Sequence, residues 1–76
     1  MPHVIVKLFA GRTEAQKAKI ADEIVKAVMA GAGSAEKSIS VSIEDVAPGE
    51  WKEQVYKPDI AAKWDSLYKQ PGYEPD

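Results

Sequence analysis

Pro2 stands directly behind the initiator methionine and leads into an apolar run, His3-Val4-Ile5-Val6-Lys7-Leu8-Phe9. Removal of Met1, which a small second residue permits, turns its nitrogen from an amide into a cyclic secondary amine anchored at the start of a strand. Such an amine is a base with a fixed position, and a chain this poor in titratable groups has few other routes to acid–base chemistry near neutrality. Cysteine is absent and His3 is the single histidine. The acids fall mostly in solvated stretches. Met-Pro could also be no more than the way the chain starts.

Seventy-six residues make one domain, residues 1–76, and a domain so small buries only about 60% of its unfolded surface. Without cysteine, and with one histidine, neither a disulfide framework nor a zinc site can supplement that core. Self-association is the expected remedy. The net charge of −2, from ten basic and twelve acidic residues, offers no basic stripe to nucleic acid. No apolar run approaches the roughly 20 residues of a membrane helix, and the N-terminus lacks the basic and apolar regions of a secretory signal. The expected compartment is therefore the cytoplasm, with no membrane or nucleic-acid partner.

The elements that must hold Pro2 in place are legible from periodicity. A first strand is expected over residues 3–9, with Val4, Val6 and Leu8 on one face and His3, Ile5, Lys7 and Phe9 on the other, both faces partly apolar. Ala10-Gly11-Arg12 turns the chain, and Thr13 opens a helix with Gln16 at capping-box spacing. Ile20, Ile24, Ala27 and Val28 recur at helical intervals, and the glycines 31 and 33 end the helix. Alternation predicts a second strand over residues 38–44, with Ile39, Val41 and Ile43 on one face and serines on the other. Strand, helix, strand implies parallel strands and a right-handed crossover. Ala47-Pro48-Gly49 makes a turn, Trp51 and Val55 share a side of one helical turn, and Pro58 interrupts it. A second helix is expected over residues 59–70, with Ile60, Trp64, Leu67 and Tyr68 as one stripe. Residues 73–76 show no period and read as extended or mobile. Two strands are too few to stand alone, so sheet and assembly form one problem.

Three features, in this order, resemble the 4-oxalocrotonate tautomerase superfamily. They are Pro2 opening a strand, Gly11-Arg12-Thr13-Glu14-Ala15-Gln16-Lys17 leading into the helix, and a strand through Val46 followed by Trp51. The segment from Pro48 to Trp51, the second helix and Lys69-Gln70-Pro71-Gly72-Tyr73 extend the similarity to its PptA-type branch. The resemblance implies an α+β, β-α-β tautomerase (MIF-like) fold with parallel strands, a helix crossover and a C-terminal helix, its sheet completed by dimerisation. It implies a homodimer where the founding type forms hexamers, and a cofactor-independent isomerase that interconverts keto and enol forms of small 2-oxo acids. Position by position, Pro2 matches the general base and Arg12 the arginine that contacts the substrate carboxylate. Trp51 replaces an apolar-wall phenylalanine, and Ser40 stands where the founding type has a second arginine. Loss of that arginine disfavours a dicarboxylate, so an arylpyruvate enol such as phenylenolpyruvate is the expected substrate.

A proton shuttle of this kind needs a neutral amine at pH 7. An apolar pocket and a nearby cation both penalise the ammonium form; Phe9 and Trp51 are candidates for the first effect and Arg12 for the second. Arg12 also offers a planar fork for a carboxylate. The enolate needs a donor as well, for which Ser40, a lysine, a backbone N–H or water all qualify. Each residue has a structural alternative: Arg12 as a loop cation, Trp51 and Trp64 as core aromatics, Ser40 and His3 as packed or interfacial groups, and Lys7 as a strand-end cation. No metal or organic cofactor is implied. Other readings are a hydratase, dehalogenase or decarboxylase on the same scaffold, with Glu44 or Glu50 activating water, and a dimeric interaction module without turnover.

Overall fold

The computed structural model of the chain describes residues 1–75. Strand β1 spans His3–Phe9 and strand β2 spans Ser40–Val46. They run parallel and in register, from His3 beside Ser40 to Phe9 beside Val46. Parallel neighbours need a long crossover, and helix α1, Glu14–Ala32, supplies it. The fold is thus α+β in β-α-β order, as the pattern implies.

Gly11 turns β1 toward α1 at φ 125°, a backbone conformation that side chains with a Cβ rarely adopt. The capping box is complete: the Gln16 N–H donates to Thr13 Oγ1 at 3.1 Å, and the Thr13 N–H donates to Gln16 Oε1 at 2.8 Å. Two helix-end donors are thereby satisfied. Gly31 stays helical; the stop is Gly33, left-handed at φ 67°, whose N–H reaches the Met29 carbonyl. Ile20, Ile24 and Val28 are half-buried as expected, joined by Ala21 and Val25, whereas Ala27 faces solvent.

The second strand starts two residues later than its alternation suggests. Glu36–Ser38 close into a 3₁₀ turn, in which the Ser38 N–H bonds to the Ala35 carbonyl. At the other end β2 continues to Val46 because Phe9 still has a partner there, and the Ala10 N–H adds one more bond to the Val46 carbonyl.

Alternation and register sort the side chains into two faces. Val4, Val6, Val41 and Ile43 lie beneath α1, where Lys17 Nζ sits 3.0 Å from Asp45 Oδ2. His3, Ile5, Lys7 and Phe9, with their β2 partners, form the opposite face. The C-terminal segment covers only the far half of it. There the Phe9 and Trp51 rings meet edge-on, 5.1 Å between centroids, and Lys7 Nζ lies 2.6 Å from Asp59 Oδ2. Among the described residues only Val46 and Val55 are buried apolar groups, at 8% and 4% exposure. Ile5, on the near half, is 55% exposed.

The C-terminal segment departs from the expected second helix over residues 59–70. The chain winds as a π-helix over Lys52–Ile60 with Pro58 inside it, then as a 3₁₀-helix over Ala61–Ser66. Proline lacks an N–H, and its ring would collide with the carbonyl four residues back in an α-turn; the wider winding carries the chain past it. Trp64 is consequently no core residue of this chain: it is 37% exposed, and Tyr68 is fully exposed. With three residues per turn, positions four apart diverge by about 120° rather than stacking. A kink at Lys63 (φ −118°, ψ 21°) breaks the stripe again. The tail folds back to the body at Tyr73, while Asp76 lies outside the described residues.

A single chain is poorly closed. It exposes 5630 Å², where a compact monomer of this size exposes roughly 4,600 Å². Its radius of gyration is 13.9 Å, against about 11 Å expected of a compact domain. Among the described residues no helix is long and apolar enough to cross a membrane.

Candidate active site

A cavity of about 390 Å³ opens where β1 ends, lined by Lys7, Leu8, Phe9, Arg12, Trp51 and Tyr73. Each wall has a local cause. The Gly11 turn brings Arg12 back over the strand end, where its Nη1 donates to the Phe9 carbonyl at 3.2 Å. The 3₁₀ turn Pro48–Glu50 delivers Trp51 against Phe9. Trp51 Nε1 in turn donates to Tyr73 Oη at 2.7 Å, and Tyr56 meets the Tyr73 ring at 5.7 Å. The cavity therefore joins aromatic surface to two cations, an arrangement suited to a small acid with an aryl group.

The two cations differ in freedom. Lys7 is held by Asp59 at 2.6 Å. Its hydrogen bond to Asp59, together with the charges of Asp59 and Glu44, raises its pKa above the ordinary lysine value and outweighs partial desolvation. Lys7 therefore stays an ammonium at neutral pH and cannot serve as a base there. Asp59 also offsets its charge toward a ligand. Arg12 is exposed and has no carboxylate within ion-pair distance among the described residues.

Pro2 and Ser40 occupy the opposite end of the sheet. The Ser40 N–H donates to the Pro2 carbonyl at 3.2 Å, and Ser40 Oγ lies 2.6 Å from His3 Nδ1. Met1 is fully exposed and Pro2 half-buried. The seven residues of β1, at about 3.3 Å each, separate Pro2 from Phe9 by on the order of 20 Å. The four residues singled out from sequence thus form two pairs, Pro2 with Ser40 and Arg12 with Trp51, and one chain does not bring the pairs together. Neither Glu44 nor Glu50 lines the strand-end cavity; Glu50 accepts a hydrogen bond from Gln54. Sequence reasoning missed Tyr73, although an aromatic directly after Pro71-Gly72, a pair that reverses the chain, was the available signal.

Comparison with known proteins agrees with this architecture. A family profile described as "Tautomerase enzyme" matches residues 2–55. A probable tautomerase from Xylella fastidiosa (strain 9a5c) is 41% identical over 73 residues, spanning 96% of this chain and 89% of that protein. Tautomerase PptA of Cronobacter sakazakii (strain ATCC BAA-894) is 39% identical over 75 residues, spanning 97% of this chain and 99% of that one. Among solved structures, a 4-oxalocrotonate tautomerase isozyme from Methylibium petroleiphilum superposes with a TM-score of 0.64 at 32% identity. The superposition covers 66% of this chain and 81% of its counterpart.

Proposed function

The chain belongs to the tautomerase family, and on that premise we propose that it interconverts keto and enol forms of aryl-substituted 2-oxo acids, with the Pro2 amine as the base once Met1 is removed. The observation that carries the reading is the split site: an exposed chain end at one end of β1 and a cationic, aromatic cavity at the other. A two-fold axis that sets two copies of β1 antiparallel brings each Pro2 to the other copy's cavity. The pairing would also cover Ile5 and use the edge that a two-stranded sheet leaves open. The functional unit is accordingly a homodimer, in keeping with the excess surface of one chain.

In that arrangement Arg12 takes the substrate carboxylate in its planar fork, and the aryl group lies along Phe9 and Trp51. Lys7 adds little net charge because Asp59 is beside it, which favours monocarboxylates. The partner's arginine and the aromatic wall both disfavour a prolinium, so the amine is available as a base. Ketonisation then takes one proton from the enol hydroxyl and delivers one to C3, with the proline nitrogen as carrier. No other bond changes.

The test is an ultraviolet assay of phenylenolpyruvate ketonisation by mature protein beside protein that retains Met1, with light scattering on both. Turnover by a dimeric mature form alone supports the reading. Equal activity with an intact Met1, or a stable monomer at micromolar concentration, overturns it.

A further inference from the structure

Resting on that keto–enol reading, we propose that the phenolic hydroxyl of Tyr73 donates the hydrogen bond to the oxygen on C2 of the bound acid, presented by Trp51. Tyr73 lines the cavity together with Arg12, Phe9 and Trp51. An indole N–H can only donate, so in the 2.7 Å contact with Trp51 Nε1 the Tyr73 oxygen accepts. The phenol's own proton is thereby left for another partner, and among the described residues no acceptor takes it. The Tyr56 ring also meets the Tyr73 ring, 5.7 Å between centroids.

The competing donors are committed elsewhere or arrive only with the other copy. Lys7 is drawn to Asp59 at 2.6 Å, with two of its three N–H bonds left, and Arg12 carries the charge that suits the carboxylate. Ser40, a candidate from sequence, sits at the far end of its own strand and reaches a cavity only beside the other copy's Pro2, where its hydroxyl is already within 2.6 Å of His3 Nδ1. Donors linked in series polarise one another, so the indole strengthens the phenol as a donor. When the proline carries the proton, negative charge gathers on the C2 oxygen, and a fixed donor there acts most strongly in the transition state. Tyr73 keeps its proton throughout. Trp51 is then more than an apolar wall: it is a positioning residue, and its nitrogen matters as well as its ring.

The experiment compares wild type with Tyr73→Phe, Tyr73→Leu, Trp51→Phe and the Trp51→Phe/Tyr73→Phe pair. Tyr73→Phe keeps the ring against Tyr56 and removes only the hydroxyl. Kinetics on mature protein should show kcat for phenylenolpyruvate reduced about 10- to 100-fold in Tyr73→Phe, with KM little changed. Trp51→Phe should lose less, and the pair no more than Tyr73→Phe alone, because both changes remove one interaction. A second readout needs no turnover and is made on protein that retains Met1: the ratio of dissociation constants for 3-phenylpropionate and phenylpyruvate, which differ by the C2 oxygen. Wild type should favour phenylpyruvate several-fold and Tyr73→Phe should not, whereas Tyr73→Leu should weaken both ligands by removing the wall. Unchanged kcat in Tyr73→Phe, or a binding ratio unaffected by it, overturns the assignment even if mature wild type turns over. A mature wild type without turnover overturns the keto–enol reading, and the binding ratio still decides whether Tyr73 meets a C2 oxygen.

Discussion

The two ends of β1 are built to different standards. At the Phe9 end, a glycine turn, a 3₁₀ turn, an ion pair and a returning tail converge, giving a walled cavity whose side chains hold one another by hydrogen bonds and ring contacts. At the Pro2 end there is a fully exposed methionine, a half-exposed proline and one serine–histidine hydrogen bond. Binding needs several groups fixed around a ligand, whereas a base needs only one atom at a defined place. Under the proposed function, the difference teaches how a chain of this size would divide the labour, with a receptor at one end, a reagent at the other, and symmetry to join them.

The strongest way to break this contrast is to acylate the reagent. Protein with Met1 retained should lose about 10²–10⁴-fold in kcat/KM, while mature Pro2→Ala, which keeps a primary amine, should fall between it and wild type. Next, Arg12→Ala should reduce kcat/KM by about 10- to 100-fold, the loss of a charge-assisted carboxylate contact. It should also shift the acid limb of the pH profile upward, since a cation that penalises the protonated amine is gone. An Arg12 effect confined to stability would return the residue to a loop cation.

Smaller effects should follow from the cavity's second cation. Asp59→Asn unmasks Lys7 and should raise kcat/KM for a dienol dicarboxylate several-fold relative to phenylenolpyruvate; no change in that ratio would remove Lys7 from the specificity argument. The same variant sharpens the stability side. The Lys7 pKa is raised in the folded chain above its ordinary 10.5. The pair's contribution is therefore whole below that value and lost as pH rises through the folded-state value. The gap in melting temperature between wild type and Asp59→Asn should be constant from pH 7 to 9 and narrow as pH rises beyond 10.5. A gap that widens in alkali contradicts the pairing.

Much of this was legible in the residues. The first strand, the capping box and the parallel crossover follow from local rules, because Thr13 with Gln16 and the alternation of Val4, Val6 and Leu8 need no distant partner to be read. The C-terminal segment was not legible in the same way. Pro58 looks like a boundary, yet the wider turn that accommodates it goes with burial of Val55 and with Asp59 reaching Lys7, 52 residues away in sequence. Pro2, Arg12, Trp51 and Ser40 could each be singled out by chemistry. That Pro2 and Arg12 flank one strand follows from their positions in the chain, but that Ser40 joins Pro2 and Trp51 joins Arg12 emerges only with the register of β2 on β1. Tyr73 escaped notice because its place depends on a tail that folds back, and the indole that holds it lies 22 residues away in sequence.

Subunit complementation tests the central claim most directly. One partner is a chain with Pro2 acylated by a retained Met1 and the other, in equal amount, is mature Arg12→Ala, each alone at no more than about a tenth of wild type. Mixed through reversible unfolding, half of the dimers should be hybrids, and each hybrid should hold one intact site, with the Pro2 amine of one chain at the Arg12 cavity of the other. Activity should then recover to roughly a quarter of wild type. No recovery from a mixture shown to contain hybrids would mean that Pro2 and Arg12 never share a site across the dimer, and the account would fail.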